Sequence, residues 1–118
     1  MVVITGESSK MGVERAGEIL QEIVRRLVAG YAPQKVILFG SYAYGEPDAG
    51  SDIDLLIIKD TPQRPLERWM EVKRLLRDLS CRVAISPLVY TPQEIERRLA
   101  IGDFFLREIL EKGEVLHG

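Results

Sequence analysis

Lys35-Val36-Ile37-Leu38-Phe39 runs into Gly40-Ser41-Tyr42-Ala43-Tyr44-Gly45, and after five more residues comes Ser51-Asp52-Ile53-Asp54-Leu55. The apolar run of five reads as a buried strand that stops at Gly40, and Asp52 to Lys59 reads as a second strand. A short helical turn starts at Ser41, and Glu46-Pro47-Asp48-Ala49-Gly50 is a loop of turn-forming residues. The connection is too long for a tight hairpin.

Two chemical features sit on this frame. Asp52 and Asp54 lie two apart on a strand, so their side chains project from one face, roughly 7 Å apart along the chain. Hard oxygen ligands so arranged suit Mg²⁺, with Mn²⁺ as its substitute, because Mg²⁺ is usually held by one or two carboxylates plus substrate phosphates. Gly40 and Ser41 join a strand end to a helical turn, where backbone N–H groups and a hydroxyl favour a phosphate. Gly40 and Gly45 allow tight backbone approach without a Cβ clash. Asp-x-Asp and Gly-Ser are each common as plain turn or cap residues. Their joint occurrence, each on the element it needs, is what points to a nucleoside triphosphate held with a divalent cation.

Working outward, Gly12 to about Ala29 carries Val13, Ala16, Ile19, Leu20, Ile23, Val24 and Leu27 at helical spacing, and Gly30 and Pro33 end the helix. After Pro62 and Pro65, a second amphipathic helix with Leu66, Trp69, Met70, Val72, Leu76 and Leu79 ends near Ser80. Arg82 to Tyr90 reads as a third strand, and Pro87 places it at a sheet edge or bulge. Thr91-Pro92-Gln93-Glu94 is a capping box with proline at the first helical position, opening a helix to about Ala100. Asp103 caps a last helix to Lys112, Gly113 stops it, and Glu114-Val115-Leu116-His117 forms a last short strand. Strands alternating with helices give an α/β (α+β) domain, a small mixed β-sheet flanked by helices.

The chain has 118 residues, enough for one domain and one core, so 1–118 reads as a single domain with residues 1–10 as an arm or short strand. A net charge of −2 excludes a global basic field of the kind that drives nonspecific nucleic-acid binding. The cluster Arg64, Arg68, Lys73, Arg74 and Arg77 reads as a solvated helix face, with a partner or polyanion surface as the alternative. Cys81 is the sole cysteine, which rules out an intramolecular disulfide and fits a reducing, cytoplasmic setting. No apolar run nears the ~18 residues of a membrane span.

The bipartite stretch resembles the Gly-Ser-x-Ala-x-Gly…Ser-Asp-x-Asp-Leu signature of the minimal nucleotidyltransferases of the polymerase β superfamily. The likeness extends through the leading helix, Thr91-Pro92-Gln93-Glu94 and Ile109-Leu110-Glu111-Lys112-Gly113. It implies the nucleotidyltransferase fold, with Gly40, Ser41, Gly45 and Ser51 at the triphosphate and Asp52 and Asp54 as catalytic Mg²⁺ ligands. It further implies transfer of a nucleoside monophosphate, from ATP or another triphosphate, to a hydroxyl acceptor with release of pyrophosphate. A short chain of this family commonly works with a helical HEPN-type partner encoded in a toxin–antitoxin pair, and homo-oligomers are compatible with it.

One departure bears on catalysis. The family usually has a third carboxylate on the next strand, and aligning on Tyr90-Thr91-Pro92 puts Ser86 there. No Asp or Glu occurs from Cys81 to Thr91, and neither Asp78 nor Glu46 clearly substitutes. A serine hydroxyl is a poor general base and a weak metal ligand. Two readings therefore stand: an active nucleotidyltransferase, or a nucleotide-binding antitoxin or regulatory subunit without turnover.

The remaining residues read as packing. His117 is expected to be a frayed surface residue, Cys81 a small buried side chain, and Trp69 part of a core or interface. Tyr42 and Tyr44 flank the turn, and packing or exposure is favoured for them over stacking on a base. Phe104, Phe105, Ile109 and Leu110 make the last helix apolar, as core or as a patch under a partner.

Overall fold

A computed structural model describes residues 12–45 and 51–118, with side chains from residue 17 onward. The expected arm over 1–10, the loop 46–50 with Glu46, and the side chains of Val13 and Ala16 lie outside the described residues.

The order is α1 (Gly12–Gly30), β1 (Lys35–Phe39), β2 (Ile53–Ile58), α2 (Pro65–Leu75), a 3-10 turn (Leu79–Cys81), β3 (Ile85–Tyr90), α3 (Pro92–Ala100), α4 (Phe104–Lys112) and β4 (Glu114–His117). The strands form one sheet in the order β3-β2-β1-β4. β1 runs antiparallel to both β2 and β4, whereas β2 and β3 are parallel and joined by α2. This is the mixed sheet expected from the alternation of strands and helices.

Both faces of the sheet are covered, which is why β1 and β2 read as continuous apolar runs. On one face Ile19, Ile23 and Leu27 of α1 pack with Val72 and Leu76 onto Val36, Leu38, Leu55 and Ile57. On the other, Ile95 of α3 and Leu106 and Ile109 of α4 pack onto Ile37, Phe39 and Leu56. Successive residues of β2 thus serve opposite cores, as the pleat requires.

Local signals account for the helix ends. Thr91 Oγ accepts from the Glu94 N–H while Glu94 accepts from the Thr91 N–H, closing the expected capping box. Asp103 accepts from the Leu106 N–H at the start of α4. α1 ends otherwise than expected: Gly30 stays helical, and the reversal falls on Ala32, whose φ is +53°. Its N–H reaches back to the Leu27 carbonyl at 2.9 Å. That left-handed position normally selects glycine.

Several side chains stand elsewhere than expected. α2 buries Arg68 and Val72 and turns Trp69 outward, 44% exposed, so Trp69 is not core and Arg68 is not part of a solvated face. Arg68 turns inward because its guanidinium finds acceptors for four hydrogen bonds. Glu94 takes two bonds, and the Gln63 and Val89 carbonyls take the others. Cys81 is exposed on the 3-10 turn, which carries it off the helix before β3 begins. β3 starts at Ile85, three residues later than expected, and its buried Pro87 lies on an edge strand as read. His117 is held in β4 opposite Val36 and is half-buried rather than frayed.

Candidate active site

The site forms where β1, β2 and β3 begin or end side by side. In register, Phe39 lies beside Asp54 across the antiparallel pair, and Asp54 lies beside Ser86 across the parallel pair. Asp52 immediately precedes β2 and accepts a hydrogen bond from the Ser86 hydroxyl at 2.9 Å. Asp52, Asp54 and Ser86 therefore meet at one corner of the sheet. Long-range parallel pairing places Ser86 there, 34 residues along the chain from Asp52.

Gly40 closes the corner from the other side. Its φ is +78°, and a Cβ on it would collide with the Asp54 carboxylate. Both facts demand glycine: the backbone is left-handed, and the turn must approach the carboxylate closely. The Ala43 and Tyr44 N–H groups donate to the Gly40 carbonyl, forming a tight turn. Those two donors are engaged within the turn and are not available to a phosphate. Ser41 Oγ donates to Ser51 Oγ at 3.2 Å, tying the turn to the start of the second half of the motif. Gly45 ends the turn at φ +76°, with open space where a Cβ would stand. Tyr42 and Ala43 pack against the α1 side of the core, and Tyr44 is exposed. Packing is thus the role of Tyr42.

The electrostatics make ionisation of Asp54 costly. Burial pushes the Asp54 carboxyl above its ordinary range, and the nearby charge of Asp52 pushes it the same way. Each effect penalises the ionised form, and a positive ion between the two carboxylates would remove that penalty. Two carboxylates with neighbouring hydroxyls are a donor set that suits a hard divalent cation completed by phosphate and water. No cluster of three or more His, Cys, Asp or Glu residues occurs among the described residues, and none of these supplies a third acid in place of Ser86. Asp78 is committed elsewhere, in an ion pair with Arg26 of α1.

Phe39, beside Asp54 in register, carries an aromatic contact on the same sheet. Phe105 of α4 meets Phe39 edge-on, with ring centroids 5.8 Å apart at 83°. Its sequence signal was the apolar start of α4, which gave no hint that the ring meets Phe39.

A nucleotidyltransferase domain profile matches residues 18–116. The chain belongs to the nucleotidyltransferase domain family, and within it to the minimal nucleotidyltransferases. It is similar to two Methanocaldococcus jannaschii proteins, each named “Putative protein adenylyltransferase”. One is 33% identical over 100 residues, covering 83% of this chain and 94% of the relative. The other is 30% identical over 90 residues, covering 72% of this chain but only 61% of the relative's length. Among solved structures it resembles a “putative nucleotidyltransferase” from Sulfolobus solfataricus, with a TM-score of 0.57 and 25% identity over 72% of this chain and 75% of that one.

Proposed function

We propose that this chain binds a nucleoside triphosphate, ATP, at the corner formed by Gly40, Ser41, Asp52 and Asp54, and transfers the adenylyl group to a hydroxyl on a partner protein. The observation that carries the reading is the contact of Gly40 with Asp54. It sets a strand-end turn suited to phosphate directly against a carboxylate pair suited to a cation. The names of the two relatives support adenylyl as the group and protein as the acceptor.

Asp52 and Asp54 would hold Mg²⁺ or Mn²⁺, which when bound neutralises triphosphate charge and stabilises the charge developing at phosphorus. The Gly40–Ser41 turn, with Ser51 bonded to it and Gly45 closing it, orients the triphosphate so that its α-phosphorus faces the acceptor. The acceptor oxygen forms the new bond to the α-phosphorus and releases its proton to solvent water, the bond from the α-phosphorus to the bridging oxygen of the β-phosphate breaks, and pyrophosphate leaves. Ser86 holds an oxygen of Asp52 by donating its own proton, and it has no basic pair to take the acceptor's. General base catalysis is commonly worth ~10²–10⁴-fold, so turnover without it is expected to be slow.

That same hydrogen bond favours a second reading, a nucleotide-binding subunit without turnover, such as the antitoxin of a HEPN-type pair. Incubation with radiolabelled ATP, Mg²⁺ and a co-encoded partner separates the two. Label on the partner that is lost in Asp52→Ala supports transfer. Metal-dependent ATP binding without label supports the regulatory subunit. If Asp52→Ala and Asp54→Ala both leave ATP binding unchanged, the site itself is wrongly assigned.

A further inference from the structure

The outer edge of β3 borders a groove of about 760 Å³, walled by Pro65, Arg68 and Trp69 of α2 on one side and Arg97, Arg98 and Ile101 of the α3 end on the other. Pro87 and Leu88 line its floor. Leu88 is one pleat along β3 from Ser86, roughly 7 Å away on the same strand face, so the groove leads toward the carboxylate corner.

The groove is basic in an otherwise acidic chain. Arg68 is matched by Glu94 and Arg98 by Asp103, and Arg97 stands exposed on its rim. Trp69 also belongs to a second hollow lined by Lys73, Arg74 and Arg77, without a carboxylate. Large apolar side chains accompany the charge. Leu66, Trp69 and Met70 lie on one face of α2, and Ile101 is 82% exposed across the groove.

The occupant is not an added β-strand. The Ala84 and Tyr90 carbonyls point into the sheet, so the backbone polar groups of Ile85, Pro87 and Val89 are the ones turned to its free edge. Pro87 has no N–H to offer. Lys73 donates to the Ile85 carbonyl, and Arg68 donates to that of Val89. The edge is blocked by the residues that elsewhere prevent strand pairing. Nucleic acid fits less well. The Trp69 ring is faced by Lys73 and the Tyr90 ring by Arg98, and the exposed Leu66, Met70 and Ile101 gain nothing from a phosphate backbone.

We propose that this groove docks an acidic amphipathic helix of a partner protein, its apolar stripe on Trp69 and Ile101 and its carboxylates on Arg97 and, in the adjoining hollow, on Arg74. The inference deepens the transfer reading, because a partner held there presents its acceptor hydroxyl past Leu88 to Ser86 and the carboxylates. Its test runs without nucleotide and in EDTA, so failure of docking and failure of transfer are read separately.

The probe is a fluorescein-labelled peptide of about five helical turns, leucine at i, i+3, i+4 and i+7 and glutamate elsewhere, titrated with the whole chain at low salt. The expected results are saturable anisotropy and protection of Trp69 from acrylamide quenching. Affinity should fall about tenfold in Arg97→Glu, in Arg74→Glu and in Ile101→Ser. All three are exposed positions, and Arg97→Gln, which should weaken binding less, serves if a reversal misfolds. No binding, equal binding of a peptide with the same composition in permuted order, or tighter binding of an RNA of equal length would overturn the proposal. So would self-association of the chain that Ile101→Ser abolishes, since the groove would then hold a second copy.

Discussion

Gly40 and Ser86 decide more at this site than their size suggests. Gly40 is required twice over, by a left-handed φ and by the carboxylate its missing Cβ leaves room for. Gly40→Ala is expected to displace Asp54 and cost about 1–2 kcal/mol in backbone strain. The fold should survive while metal-dependent ATP binding falls by an order of magnitude or more, as isothermal titration with ATP and Mg²⁺ would detect. Unchanged binding would mean that Asp54 does not serve the nucleotide. Ser86 allows the opposite experiment. Ser86→Asp restores a carboxylate beside Asp52 and Asp54, so it should tighten Mn²⁺ binding and raise label transfer at least ~10-fold. In metal-free buffer it should lower the melting temperature, because three carboxylates then repel. A variant that transfers no faster would remove Ser86 from the account of slow turnover.

At the scale of elements, two joints carry testable energy. The reversal after α1 forces Ala32 into the left-handed region, a strain that Ala32→Gly relieves. Stability should rise by about 0.5–1 kcal/mol, a few degrees in melting temperature, with nucleotide binding unaltered. A destabilised Ala32→Gly would mean that added freedom in the unfolded chain outweighs the strain. The second joint is Arg68–Glu94, which ties α2 to α3 and, through the Val89 carbonyl, to β3. The Arg68 guanidinium holds the Glu94 carboxyl below its ordinary range; burial opposes this, and the Thr91 N–H adds to the lowering. A group with a depressed folded pKa contributes stability above its unfolded pKa and loses it as pH falls through the folded value. The contribution should therefore be complete near neutrality and fade below the ordinary glutamate range, near pH ~4.3. Urea titrations at several pH values should show that slope in the wild type and a reduced one in Glu94→Gln. Identical slopes would place the acid sensitivity in other carboxylates.

Across the whole molecule, one sheet serves two cores, and β2 divides its side chains between them. Leu55 faces α1 and α2, whereas Leu56 faces α3 and α4, and both are fully buried. Leu55→Ala and Leu56→Ala should each cost about 2–4 kcal/mol. Since both cores share one hydrogen-bonded strand, each variant should still unfold in a single transition seen alike by circular dichroism and Trp69 fluorescence. Two separated transitions would mean that the helical layers are independent. The docking groove also belongs to this scale, being assembled from three elements around the free edge of the sheet.

Most of the fold was legible in the sequence because its signals are local. Apolar runs, the Thr91–Glu94 box, Asp103 and Gly113 specify elements within a few residues of themselves, and the bipartite motif carries its own spacing. Of the two places read for Trp69, core or interface, the structure removes the core, and Arg68 was misread because helical periodicity assigns arginine outward. Only the Glu94 carboxylate and two distant carbonyls, supplied by other elements, reverse that choice. Cys81 and His117 were misread for a related reason, since one depends on the turn after α2 and the other on pairing with β1. The sequence by itself determined the order of elements, the family, and which residues could form the corner. Tertiary structure alone decided that Ser86 bonds Asp52, that Gly40 abuts Asp54, and that a basic, apolar groove runs beside them. Each of those depends on strand register and helix rotation, which are settled by contacts between residues far apart in the chain.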